Sequence, residues 1–219
     1  MRYDLARLTP WCIAITVVFI LCEMLFGAHS VWMLLFLRDI LGGTLSETEY
    51  QERANLIDEL GGMVGSAYVA TTLIAYLVNG MWIWKASHNA AMIDPDLRRI
   101  SAGWAFCWFL IPIANFWMPF KAMKQTWNST HFGASADMNG PVPLFMSVWW
   151  FCWIVSSVLG QASGRMARNS NDIETLVMTT WMDVVGSPFS ILAAILFLRI
   201  LRDVSRVQRD HGSHAEIFA

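Results

Sequence analysis

Charged residues are scarce in this sequence. Asp, Glu, Lys and Arg together make up 15% of its 219 residues, against about 25% in an average soluble domain. No basic patch is present. The fifteen Lys and Arg residues are scattered around apolar stretches, which argues against a nucleic-acid partner. The net charge of −2 points to no partner of either sign. No C-x-x-C pair occurs among the four cysteines, Cys12, Cys22, Cys107 and Cys152. Each lies in an apolar stretch, so neither a disulfide framework nor a zinc site is expected, and the cysteines read as small packing residues. There is no G-x-S-x-G elbow, no phosphate-binding Walker loop and no H-E-x-x-H, so the sequence points to no enzyme and no cofactor. His211 and His214 form an H-x-x-H in a polar tail. They lack a third ligand, and no metal is expected there.

Apolar residues fill the space that charge leaves. They reach 56% of the chain, twelve of them tryptophans, and the mean hydropathy is +0.44. A membrane-crossing helix needs about 20 apolar residues to cover about 30 Å of hydrocarbon. Four segments qualify, at about residues 11–37, 62–84, 144–162 and 176–198. In hydrocarbon the backbone must bond to itself, so these are expected to be helices. The first is about twice as long as a signal-peptide core and is expected to be a retained span. No repeat, linker or low-complexity tract divides the chain, so residues 1–219 read as one integral membrane domain. The fold class is all-α: a polytopic bundle of four transmembrane helices.

A fifth uncharged stretch, 101–119, is broken by Pro112 and Pro119 and is rich in Trp. Proline ends or kinks a helix, and Trp favours the headgroup level. This stretch reads as a re-entrant or interfacial hairpin. The bias of Lys and Arg towards the cytoplasm supports that reading. With four spans and a cytoplasmic N-terminus, 11 basic residues face inward and 4 outward; with five spans the split is 7 to 8. Both termini are then cytoplasmic. The acidic connector from Arg38 to Glu59 faces outward and carries a short amphipathic helix, with Ser46 and Glu49 as its capping box. Asn128-Ser129-Thr130 matches a glycosylation sequon, but it falls on the cytoplasmic side and is discounted.

Ionisable groups inside a bilayer are costly and mark candidate sites. Three occur in the spans: Glu23, His29 and Asp183. Thr16, Glu23, Gly27 and Ser30 share one face of the first span. Gly61, Gly65, Tyr68, Thr72, Tyr76 and Asn79 form a stripe on the second. Thr179, Asp183, Gly186 and Ser190 form one on the fourth. Such stripes face a bundle interior. His29 lies about 120° around its helix from Glu23, so the two need not meet. Pro188 is expected to kink the fourth span and free the Val184 carbonyl. Beyond that span, Arg199, Arg202, Arg206 and Arg209 lie within about 80° of one face over residues 199–210. They form a basic helix suited to anionic lipid headgroups.

The central block reads Trp84-Lys85-Ala86-Ser87-His88-Asn89-Ala90, Ser101-Ala102-Gly103-Trp104, Trp108-Phe109-Leu110-Ile111-Pro112-Ile113-Ala114-Asn115, then Pro119-Phe120-Lys121-Ala122-Met123 and Trp127. It resembles a bacterial family of multi-pass membrane proteins known as domain of unknown function 4328, over about residues 60–200. The resemblance implies a bacterial, cytoplasmic-membrane location and no established activity. It directs attention to Asn89, Gly103, Trp104, Pro112, Asn115 and Pro119. In this reading Asn115 bonds backbone freed by the prolines and Trp104 anchors at the headgroups. The block is either purely architectural or a lid over the interior polar site. Phe120 stands where the family has Tyr, which removes a hydroxyl, and Ala102 stands where Pro is common.

Two functional classes follow. The first is a non-enzymatic membrane scaffold, assembly or regulatory component, acting through lipid and a homo-oligomer or membrane-protein partner. The second is a small oligomeric transporter, channel or ligand-binding bundle with a protonatable interior at Glu23 and Asp183. The topology has its own check: a reporter fused after Thr130 is expected to read as cytoplasmic, and an external signal contradicts the four-span arrangement.

Overall fold

The computed structural model describes residues 3–93, 100–111, 113–133, 136–137, 139–169 and 172–217, with the side chains of 110 and 211–217 left aside. The chain is 87% helical, with no strand among the described residues. The helices are α1 (Thr9–Leu41), α2 (Glu47–Ala91), α3 (Ala102–Cys107), α4 (Met118–Phe132), α5 (Leu144–Asn169) and α6 (Ile173–Ile217). Two 3-10 turns, Trp108–Leu110 and Ala114–Phe116, lie between α3 and α4. Four helices, α1, α2, α5 and α6, are long and apolar enough to cross a membrane.

Local chemistry explains the boundaries. After α1, Gly43 takes a positive φ of 63°, a conformation open to glycine without a Cβ clash. Ser46 and Glu49 do form the expected capping box: Ser46 N–H donates to Glu49 Oε2 at 3.0 Å, and Glu49 N–H to Ser46 Oγ at 3.4 Å. The helix they start is not a short separate one, however. It runs unbroken into the second span, because nothing between Glu47 and Ala91 is a proline. Asp172 caps α6 by accepting from Thr175 N–H at 2.8 Å. The helix then continues through Pro188 to Ile217, so the proline expected to kink it sits inside an uninterrupted helix. The stretch 101–119 is no fifth span. It splits into α3, two 3-10 turns and the start of α4, with Pro119 in the first turn of α4, where a missing N–H costs nothing.

The described residues fall into two compact units. The first comprises Met1–Thr16, Ile74–Trp150 and Leu196–Ala219; the second comprises Val17–Leu73 and Phe151–Ile195.

The first unit is built around polar side chains that satisfy one another. Trp82 is fully buried; its indole N–H donates to Ser205 Oγ at 3.0 Å, and Ser205 also meets Thr9 Oγ1 at 2.9 Å. Gln208 Nε2 donates to the Ala86 carbonyl at 3.0 Å and to Thr130 Oγ1 at 2.9 Å. Helix α4 is buried continuously from Gln125 to Thr130, although five of those six residues are polar. This burial takes the Asn128 sequon out of reach as an acceptor. Phe106 seats its ring directly on Gly80 of α2, where a Cβ would collide with it.

The second unit has polar groups inside and apolar groups outside. Glu23, Ser30, Thr71 and Ser187 are buried, while Leu21, Met24, Leu25, Leu73, Phe151 and Trp181 are each more than half exposed. That inversion suits a hydrocarbon surround, since soluble monomers rarely expose so much contiguous apolar surface. Close helix approach is set by small residues: a Cβ on Gly27 would lie 2.6 Å from Ser187 Oγ, and one on Gly186 would lie 3.6 Å from Leu159 Cβ.

The Gly80–Phe106 contact is open to test by a double-mutant cycle. Gly80→Ala alone is expected to cost about 1–3 kcal/mol through overpacking. In a Phe106→Ala background the same change is expected to be close to neutral, read from melting temperatures of the four proteins.

Candidate functional site

Glu23 stands near the middle of α1, and its side chain is only 3% exposed. The hydroxyls of Ser190, Ser187 and Tyr68 lie against its carboxyl, and Asp183 adds its charge from farther away. Tyr68 is held in place by its ring, which stacks on Phe26 at 4.7 Å between centroids. Thr72 adjoins the Tyr68 hydroxyl, while its own hydroxyl donates to the Tyr68 carbonyl at 2.7 Å. Ser187 Oγ donates to the backbone carbonyl of Glu23 at 3.1 Å. Asp183 is half-buried, and its carboxyl turns towards Ser163 of α5. Helices α1, α2, α5 and α6 therefore all contribute to the cluster, and all its residues belong to the second unit. One carboxylate oxygen, Glu23 Oε2, is buried with no hydrogen-bond partner.

Five of the polar residues expected in the spans thus meet: Glu23, Tyr68, Thr72, Asp183 and Ser190. His29, Asn79 and Tyr76 go elsewhere. His29 places Nε2 3.1 Å from the Ile57 carbonyl and packs on Gly61. Asn79 belongs to the first unit and donates from Nδ2 to Thr16 Oγ1 at 3.1 Å. Tyr76 sets its ring edge-on to Phe109 and directs its hydroxyl to the Phe109 carbonyl at 3.5 Å. The stripe on α2 is real, but its residues serve different neighbours at different heights. Ser187 and Ser163 were not among the expected site residues. The only sequence signal for them is a hydroxyl within an uncharged run, which packing alone also produces.

The residues of the central block take several roles. Asn89 is buried and grips the backbone of Tyr3 at both ends. Its Oδ1 accepts from Tyr3 N–H at 2.7 Å, and its Nδ2 donates to the Tyr3 carbonyl at 2.8 Å. The Tyr3 ring rests against Trp84 and His88, with Lys85 Nζ 5.7 Å from its centroid. Pro119 is buried at the start of α4. Gly103 is exposed and makes no close approach. Trp104 is half exposed and lies against Trp108 at 4.6 Å between centroids. Pro112 lies outside the described residues. Asn115 leaves its Oδ1 buried without a hydrogen-bond partner among the described residues. Phe120, lacking the hydroxyl, stacks on Trp150 at 5.9 Å.

On α6, Arg199, Arg202, Arg206 and Arg209 are all exposed, opposite the buried Ile200, Leu201, Val204 and Gln208. The basic face is interrupted by Asp203, which lies 3.9 Å from Arg199 and 3.6 Å from Arg206. Arg199 also sits over the Phe145 ring at 4.2 Å.

These features define a polytopic helical protein with a carboxylate held in its interior. The chain belongs to the family described as Domain of unknown function (DUF4328), whose pattern matches residues 46–206. No curated protein and no solved structure matches it. Glu23 and Tyr3 lie ahead of the matched region, which contains Tyr68, Asn89, Asp183, Ser187 and Ser190.

Asn89 offers a direct test of the N-terminal grip. Asn89→Ala removes two hydrogen bonds and is expected to cost about 1–3 kcal/mol. Faster amide exchange at Tyr3, with protection in α5 unchanged, is the expected readout.

Proposed function

We propose that this chain is a non-enzymatic, multi-pass membrane protein whose interior binds a cation at Glu23, which places it with small transporters, channels and ligand-binding bundles. The observation that carries this reading is the buried Glu23 carboxyl with an unpartnered Oε2 and three hydroxyls against it. A carboxyl in hydrocarbon demands either a proton or a cation, and among the described residues no Lys or Arg acts on Glu23 or Asp183. A purely architectural interface needs small and hydroxyl residues but gains nothing from two acids without a basic partner. The scaffold reading is the alternative. Four spans enclose little volume, so a homo-oligomer or a membrane-protein partner belongs to the proposal.

The proposed location is a bacterial cytoplasmic membrane, with both termini cytoplasmic and the α6 arginines on anionic headgroups. Contacts within the first unit support the even number of crossings. Tyr3 meets Asn89 across α1 and α2, and Thr130 meets Gln208 across α5 and most of α6. These contacts fit a topology in which each helix pair leaves and returns to the same side.

The test is cation movement in proteoliposomes under an imposed gradient. Wild type is expected to conduct or exchange a proton or metal cation. Glu23→Gln is expected to abolish this and Asp183→Asn to reduce it at least about tenfold, the effect of about 1.4 kcal/mol, with folded yields equal to wild type. Variants that lose yield yet keep full flux when recovered would return the acids to a packing role and favour the scaffold.

A further inference from the structure

Resting on that reading, we infer that the species bound at Glu23 is a monovalent alkali cation, held by the carboxylate and by the hydroxyl oxygens of Tyr68, Ser187 and Ser190. The donor set selects the charge. Asp183 turns to Ser163, so the immediate shell of Glu23 holds one carboxylate and three neutral hydroxyls. Its net charge of −1 matches a monovalent ion. Among the described residues, no group of three or more His, Cys, Asp and Glu side chains is placed to hold a metal ion. Ca²⁺ takes about six to eight oxygen ligands, commonly several of them carboxylate, and transition metals favour thiolate or imidazole. All-oxygen, mostly neutral donors suit an alkali ion.

The hydrogen-bond inventory calls for a positive charge beside Glu23. A hydroxyl has one hydrogen to give. Ser187 gives its hydrogen to the Glu23 backbone carbonyl, and Glu23 Oε2 has no hydrogen-bond partner. A proton on the carboxyl would pair with one neighbouring hydroxyl at most. A cation contacts several oxygens at once and satisfies the carboxylate and Ser187 together. Asp183 then serves as a second negative charge that draws the ion inward without ligating it.

The experiment is a melting-temperature titration of the full chain in lipid nanodiscs. NaCl, KCl and LiCl are each compared with choline chloride at equal ionic strength. At least one alkali chloride is expected to raise the melting temperature saturably, whereas choline does not. Glu23→Gln is expected to lose the response. Ser190→Ala, which removes one hydroxyl from a half-buried position, is expected to shift the titration about tenfold to higher concentration. If Glu23→Gln does not fold, Tyr68→Phe takes its place with the same expected weakening. An equal response to choline, an undiminished response in the carboxyl or hydroxyl variants, or a preference for CaCl₂ or MgCl₂ would overturn the assignment. If only pH acts, and does so through Glu23, the alkali ion is wrong while the interior cation site stands. If neither pH nor any cation acts through Glu23, both fall.

Discussion

The medium around the helices imposes one requirement from which the rest follows: no polar group can be left to hydrocarbon. Backbone groups meet it by forming helices, and side chains meet it by turning to one another. Tyr68, Ser187 and Ser190 collect around Glu23, and the outward positions Leu21, Met24 and Leu25 carry only apolar surface. The same rule explains the glycines at contact points. With little gain from hiding apolar surface, helices associate by close packing and hydrogen bonds. Gly27 beside Ser187 supplies both at one place: the missing Cβ allows the approach, and the serine hydroxyl reaches across to the Glu23 carbonyl.

The first unit obeys the rule differently. Helix α4 is too polar to face lipid and is nonetheless buried. Its side chains find partners on other elements: Ser129 donates to the Ala90 carbonyl at 2.8 Å, Thr130 accepts from Gln208, and Gln125 Oε1 accepts from Ile100 N–H at 2.8 Å. Asn128 Oδ1 and Gln208 Oε1 stay buried without a partner, but the pairs that do form specify their partners sharply, because any misalignment leaves further donors or acceptors bare. Such a unit resists sliding, whereas an apolar contact of the same area tolerates it.

What the sequence made legible follows from the same physics. The four long helices were readable because hydrocarbon thickness sets a minimum apolar length. The capping box at Ser46 was readable, but the unbroken α2 was not: a change from amphipathic to apolar composition looks like a boundary, although the backbone needs none. Glu23, Tyr68 and Asp183 were readable as residues on inward faces. Periodicity fixes the direction in which a residue points and says nothing about which neighbour stands at that height, so Asn79 and Tyr76 shared the stripe and not the site. Helix α4 escaped notice because a run buried on all sides has no alternation to detect, and its polarity mimics a surface. Asn89 was singled out by family resemblance alone; its partner, Tyr3, carries no signal of its own.

The Tyr3–Asn89 contact joins residues 86 apart, which has a consequence for the order of events during synthesis. At about 5–20 residues per second, Tyr3 waits roughly 4–17 s before Asn89 exists. During that interval two spans must be threaded, while Tyr3 stays where Asn89 will emerge. The pairing can close only after the first pair of helices has come back, so it acts as a latch that records a correct return.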